Sequence, residues 1–327
     1  MPSSGADGLG PTLPRRGVLA LGLGGAVAAC AGGGSGPPLR LGYQKNGVLF
    51  IAKQRGGTEG ALQAAGVGRL VWSEFAAGPP LLEALAAKAI DFGSTGDAPP
   101  IFAQASGADL VYVAAVPLSG RAGALLVRRD SPFTAVADLK GRRLAYTRGS
   151  SAHVSADSLL ATAGLSLKDV TSVNLGPADG APALQRGDVD AWFTWDPFFA
   201  SAERAGTARA LATGVQGQRT YQFYLADRTV AETRPDQIRA LLNHLRAEGA
   251  WAQAHPDEVA GIMAQATGVD VAVQRVVAER QDYAIQPINP AILADQQRLA
   301  DRLAADGLAS RRVTVADAAW KAGWTPA

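Results

Sequence analysis

From Leu39 onward, short apolar runs alternate with longer amphipathic stretches, and Gly, Pro, Ser and Asp mark the junctions. The short runs predict strands at Leu39–Tyr43, Arg69–Phe75, Asp91–Ser94, Leu110–Val116 and Ala124–Arg128. Helices are predicted between them: over about 48–56, over Leu81–Ala89 behind Pro79-Pro80, and over Ala98–Ala105 with Asp97 as cap. A second series places strands at Arg143–Thr147, Val170–Leu175 and Ala191–Trp195. Its helices run from Gly149-Ser150-Ser151 to about Ala163, over Ala181–Gln185, and onward from Asp196-Pro197. After a strand at Tyr221–Ala226 the pattern turns helical, near 235–254, 256–266, 269–279 and 290–305, as a cover for the first series. This rhythm predicts an α/β chain of parallel sheets covered by helices.

Composition narrows the chemistry. With 327 residues, 47% of them hydrophobic, the chain has room for about two domains, each with its own core. Its 31 basic and 29 acidic residues nearly cancel and form no like-charge block, which argues against a nucleic-acid partner. Cys30 is the sole cysteine, which excludes an intramolecular disulfide and any multi-cysteine zinc site. His153, His244 and His255 are far apart and lack metal-ligand spacing, so no metal is expected. Gly22-Leu23-Gly24 begins like a dinucleotide fingerprint, but Val27 breaks it and no P-loop occurs, so no nucleotide cofactor is expected.

The first thirty residues read as an export address. Arg15-Arg16 precede an apolar run of 13 residues, Gly17 to Ala29, too short for the roughly 20 that cross a bilayer. A positive start, a short apolar core and small residues before a break describe a signal peptide over 1–29. Arg15-Arg16 also resemble a twin-arginine signal, though Pro14 and Gly17 fit that pattern poorly. Val27-Ala28-Ala29-Cys30 resembles a lipobox, in which the cysteine is lipidated and becomes the new N-terminus. The Gly/Ser/Pro stretch through 38 then reads as a tether.

Three loops share one design: a strand ends, Gly or Ser follows, and a helix begins. They are Ala77-Gly78-Pro79, Ser94-Thr95-Gly96-Asp97 and Arg148-Gly149-Ser150-Ser151. Each presents free backbone N–H groups and the positive end of a helix dipole to whatever collects at the carboxyl ends of the strands. Ser94, Thr95, Ser150 and Ser151 add hydroxyl donors. The arrangement suits a small oxyanion and requires no bond-making; the bland reading of any one loop is an ordinary turn and cap. Strand alternation puts Ala191, Phe193 and Trp195 on one face and Trp192 on the other. Trp195 beside Asp196, and Gln44 just after the first strand, are ligand candidates, whereas Trp192 and Phe199 read as core.

Five stretches carry a family resemblance. They are Leu41-Gly42-Tyr43-Gln44-Lys45, Glu74 to Pro79, Asp91-Phe92-Gly93-Ser94-Thr95-Gly96-Asp97-Ala98-Pro99-Pro100, Gly149 to His153, and Asp190 to Pro197 with its Trp195-Asp196-Pro197. In this order they resemble the aliphatic-sulfonate-binding proteins of ABC importers, within a broader set that includes taurine, nitrate and thiamine-precursor binders. The resemblance implies a two-lobed type II periplasmic-binding fold with the ligand cleft between lobes. Lobe 1 is expected over 39–127 plus 224–327 and lobe 2 over 128–223. It implies capture of an alkanesulfonate at Gln44, Gly78, Thr95, Gly96, Asp97, Ser150, Ser151, Trp195 and Asp196. Its partners would be a permease and, through it, a separate ATPase. The protein would be an exported, lipid-anchored monomer at the periplasmic or cell-surface face of the membrane. Two departures stand out: His153-Val154 where the family often has His-Asn, and Arg148 where Lys is usual. Arg121 or Arg148 could add a charge, and Phe223 or Tyr224 could line the path of an alkyl tail. Cofactor-biosynthesis enzymes on the same fold are the rival class, and the leader argues against them. Gly149-Ser150-Ser151-Ala152-His153 lacks the G-x-S-x-G geometry of a hydrolase. Replacing Cys30 with Ala is expected to release the exported protein from the membrane fraction; continued sedimentation with membranes would end the anchor reading.

Overall fold

A computed structural model describes residues 36–214 and 219–326; the leader, Cys30 and the start of the tether lie outside the described residues. The chain begins β1 (Leu39–Tyr43), α1 (Gly47–Arg55), α2 (Thr58–Gln63), β2 (Leu70–Glu74), α3 (Gly78–Ala86), β3 (Phe92–Gly96), α4 (Ala98–Ala105) and β4 (Leu110–Leu118). It continues with β5 (Gly123–Arg128), β6 (Arg143–Tyr146), α5 (Ser151–Thr162), β7 (Thr171–Asn174), α6 (Gly180–Arg186), β8 (Ala191–Trp195), α7 (Phe198–Arg204) and β9 (Ala208–Thr213). It ends with β10 (Thr220–Asp227), α8 (Arg228–Thr233), α9 (Pro235–Ala254), α10 (Pro256–Thr267), α11 (Val271–Arg280), β11 (Gln286–Pro287) and α12 (Pro290–Ala305).

These strands build two sheets, one per lobe, in the orders β11-β4-β10-β3-β1-β2 and β7-β6-β8-β5-β9. The expected parallel pairing holds for β1 with β2 and β3, and for β6 with β7 and β8. It fails for β10 and β5. β10 runs antiparallel to β3 and β4, and β5 runs antiparallel to β8 and β9. Each arrives from the other lobe and so enters its sheet from the far end. α2, α8, β9 and the two-residue β11 add to the predicted elements. In β9, Ala208–Thr213 has no apolar/polar alternation and becomes a strand because β5 offers it an edge.

The same pairing moves the lobe limits. The expected boundaries at 127/128 and 223/224 fall inside β5 and β10, yet each of those strands belongs whole to one sheet. The change from the first sheet to the second falls between Leu118 of β4 and Gly123 of β5, and the return falls between Thr213 of β9 and Thr220 of β10.

Cores cover both faces of both sheets. Ala191 and Phe193 pack on one face of the second sheet, with Trp195 half-buried beside them, and Trp192 on the other, as alternation requires. In α9, Ile238, Leu241, Leu242, Leu245 and Ala252 form the buried stripe of an amphipathic helix and pack on the first sheet's cover. Each such Leu or Ile contributes about 1.5–3 kcal/mol by leaving water. Two residues cross the lobe divide: Val154 of α5 joins a first-lobe core, and Ala200 of α7 joins the other. Among the described residues, no helix is long and apolar enough to cross a membrane.

Gly180 opens α6 against the indole of Trp192, and a Cβ there would stand 2.1 Å from a ring carbon. Trp192 is buried and has no room to yield. Gly180→Ala is expected to destabilise the protein by about 1–3 kcal/mol, read as a lower urea midpoint with unchanged slope.

Candidate binding cleft

A cleft of about 1040 Å³ lies between the lobes. It opens at the carboxyl ends of β1, β3, β6 and β8, and the crossing segment Ser119–Gly123 with Thr213, Gly214 and Thr220 lines its base. All three predicted loops reach it. Gly78 opens α3, Gly96 and Asp97 lead into α4, and Ser150 and Ser151 start α5. Asn46, which precedes α1, adds a fourth helix start that the sequence reading did not include. Gln44 and Trp195 line the cleft as expected.

Thr95 and Asp196 are not among the lining residues. Thr95 is wholly buried, because β3 is an interior strand there, and its hydroxyl donates to the Gly96 carbonyl at 2.9 Å. Asp196 is also buried. Its Oδ1 accepts from the Ala200 amide at 2.9 Å, fixing the start of α7, and stands 3.6 Å from Arg280 Nη1. Burial pushes its carboxyl up to about 6, against the opposing pull of Arg280 and the Ala200 amide.

The hydroxyls behave differently from the expectation. A hydroxyl has one proton to donate. Ser150 gives its proton to the Thr147 carbonyl at 2.7 Å and accepts from the Ala152 amide at 3.1 Å, so it caps α5. Ser151 gives its proton to Asp97 Oδ1 at 2.7 Å, across the lobe divide. Asp97 was expected to cap α4, yet its side chain makes no cap bond and turns to Ser151 instead. The donors these helix starts offer are therefore amides: their backbone N–H groups, and beside them the carboxamides of Gln44, Asn46 and Gln222; the guanidiniums of Arg121 and Arg280 line the same cleft. Gln44 Nε2 donates to the Ser94 carbonyl at 3.1 Å and Gln222 Nε2 to Ser94 Oγ at 3.2 Å. Each of these nitrogens carries a second hydrogen.

Buried Gln296 of α12 holds the β3–α4 turn from behind. Its Nε2 donates to the Asp97 carbonyl at 2.7 Å and to Tyr112 Oη at 3.2 Å. Burial raises the Asp97 carboxyl above the usual carboxylate range, opposed by the Ser151 hydroxyl, the Ala98 amide and Arg302.

The tail candidates and cations also redistribute. Phe223 and Tyr224 are wholly buried, because β10 is an interior strand between β3 and β4. Thr220 and Gln222 reach the cleft instead, with Leu118, Phe193, Phe199 and Val276. Phe199, read as core, is both core and wall. Arg121 lines the cleft and donates to Ser119 Oγ at 3.2 Å; Arg148 does not line it. His153 turns away from the cleft. Its ring lies between Tyr146, at 4.8 Å, and Phe102 of the other lobe, at 6.2 Å. Burial, reinforced by Arg148, lowers it to about 4, so it is neutral at neutral pH.

Arg280, at the end of α11, was missed. Its Nη2 donates to Glu203 Oε2 of α7 at 2.6 Å, and its guanidinium covers the Phe199 ring at 4.2 Å. It ties the lobes together and lines the cleft. Nothing near position 280 marks it, since its partners lie more than seventy residues upstream.

With this geometry established, comparison with known proteins places the chain. The family model described as NMT1/THI5-like matches residues 77–259. A relative from Escherichia coli K12, provisionally described as an aliphatic sulfonates-binding protein, is 36% identical over 94% of this chain and 97% of its own. The chain belongs to the NMT1/THI5-like family. Within that family, the alkanesulfonate-binding protein SsuA from Xanthomonas axonopodis pv. citri, bound to MOPS, is similar in structure, with a TM-score of 0.81 and 37% identity. That match covers 88% of this chain and 99% of the other. The periplasmic aliphatic sulphonate binding protein SsuA from E. coli superimposes with a TM-score of 0.77 and 36% identity, covering 87% and 92%. These family members establish the two-lobed periplasmic-binding fold. The desulfurization enzyme DSZB, at 20% identity and a TM-score of 0.63, shares the fold alone.

Gly96 is where the lobes approach most tightly at this point. A Cβ on it would meet Ser151 Oγ at 2.2 Å and Ser151 Cβ at 3.1 Å. Gly96→Ala is expected to wedge the lobes apart, seen as a larger radius of gyration in X-ray scattering than the unmodified chain gives.

Proposed function

We propose that this chain is the extracytoplasmic substrate-binding component of an ABC importer that captures aliphatic sulfonates. The observation that carries the reading is the convergence of helix starts from both lobes on one cleft, at Gly78, Gly96-Asp97 and Ser150-Ser151. A sulfonate stays ionised at any biological pH, so the site needs no proton shuttle to keep its charge. Its three oxygens suit fixed amide donors. Each dipole end contributes about 0.3–2 kcal/mol and each neutral hydrogen bond about 1 kcal/mol. Together with tail burial they reach micromolar affinity, about −8 kcal/mol, in a preorganised cleft.

Leu118, Phe193, Trp195, Phe199 and Val276 provide an apolar wall that a bare anion such as nitrate would not use. The size and lining of the cleft favour a ligand with an organic tail, and the family relatives support a sulfonate head. Taurine and a thiamine-precursor pyrimidine remain as alternatives within the same role. The protein acts by binding and release: the lobes close on a ligand that touches both, because only the closed form makes all the contacts. Gln44, Gly78, Gly96, Asp97, Ser150, Ser151 and Trp195 form the binding surface, with Thr95 and Asp196 behind it as supports. The closed form docks on a permease driven by a separate ATPase. Lipid on Cys30 holds the protein, as a monomer, at the outer face of the membrane; the several chains of a lipoprotein anchor more firmly than one.

Titration calorimetry with ethane- to octanesulfonate tests this. Affinity is expected to rise about fourfold per methylene, about 0.8 kcal/mol each, until the wall is covered, with taurine and nitrate weaker than butanesulfonate. Failure of every sulfonate to bind would reject the ligand class.

A further inference from the structure

One short hydrogen bond joins the lobes inside the cleft. Asp97 Oδ1, before α4, accepts from Ser151 Oγ, the first residue of α5, at 2.7 Å. Both residues line the cleft, and Asp97 is 4% exposed. While Asp97 is ionised, the Ser151 proton lies on the carboxylate. The cleft then meets hydroxyl lone pairs beside a negative charge, and both repel an anionic head. Adding a proton to Asp97 reverses the bond. The acid O–H then donates to Ser151 Oγ, and the Ser151 proton is released towards the cleft.

We infer that an anion entering this cleft brings in one proton from solvent, held by Asp97, and that Ser151 then donates its own proton to the anionic head. No bond of the ligand is made or broken. The proton balances the charge of the anion, so the buried site changes from one negative charge at Asp97 to one on the ligand. This inference rests on the anion-binding reading above and deepens it. The preferred class is an anion that remains fully ionised under mildly acidic conditions, as a sulfonate does and a carboxylate progressively does not.

The groups around Asp97 are consistent with this role. α4 carries no titratable side chain, and α3 carries only exposed Glu83. β4 contributes Tyr112, which is neutral. α12 contributes Gln296, on the Asp97 carbonyl, and Arg302, whose attraction burial outweighs. On α5, His153 is held neutral, and Asp157, raised by burial and by Asp306, lies further along the helix. Arg121 lines the same cleft, and Asp196 titrates on the α7 side.

The test is the affinity of the full-length chain for butane-1-sulfonate from about pH 5 to about pH 8, beside Asp97→Asn. The sulfonate keeps its charge throughout, so any slope belongs to the protein. A group whose proton affinity is higher in the complex makes binding weaken as pH rises, approaching about tenfold per unit. The Asn amide donates to Ser151 at every pH, so Asp97→Asn is expected to bind independently of pH and, near pH 8, more tightly than the unmodified chain. Calorimetry of the unmodified chain in two buffers of unlike ionisation enthalpy gives a second reading, expected to approach about one proton taken up per sulfonate near pH 8. Binding of constant affinity without proton uptake would overturn the inference alone, as would an Asp97→Asn slope equal to that of the unmodified chain. No binding at any pH would remove the functional reading and this inference with it.

Discussion

A negative head held mainly by neutral donors needs several donors at once, pointing at one place. Backbone amides meet that need only where helices begin, because the first N–H groups of a helix have no partner within it. Gly78, Gly96-Asp97 and Ser150-Ser151 are such places, and they lie on both lobes. The two-sheet architecture, the crossing segments and the interlobe contacts all serve to bring these helix starts together. Because the helix starts are divided between the lobes, one lobe alone presents only part of the set.

The side chains around these helix starts are supports more than donors. Ser150 caps α5, Thr95 closes on its neighbour, and Gln296 holds the β3–α4 turn from beneath. Asp196 fixes the start of α7 and faces Arg280. These bonds hold each helix start in place within its own lobe. The interlobe contacts differ in kind. Ser151–Asp97 is a single hydrogen bond, Phe102–His153 an apolar stack, and Arg280–Glu203 an ion pair on an aromatic ring.

Much of the fold was legible. The strands at Leu39–Tyr43 and Ala191–Trp195, and the helices behind Pro79-Pro80 and Gly149-Ser150-Ser151, follow from period, caps and prolines, which act within one element. The three strand-to-helix loops were legible for the same reason, as was the split of Trp192 from Phe193. β9 was not, because an Ala-rich stretch takes its conformation from the edge it meets. The lobe limits were misplaced because nothing local in β5 or β10 tells which sheet it enters.

For the site the division is sharper. The sequence by itself determined which backbone segments would expose amides, since Gly, Ser and Pro at a strand–helix junction act through local geometry. It determined the apolar and polar faces of β8 and, through its motifs, the family. Only the tertiary structure decided that the Ser150 and Ser151 hydroxyls spend their protons within the protein, that Thr95 and Asp196 lie behind the surface, and that Arg280 reaches Glu203 and Phe199. These depend on partners tens to hundreds of residues away, such as the 54 positions between Asp97 and Ser151. A hydrogen bond is a relation between two groups, and a linear pattern specifies each group without specifying which other one it meets.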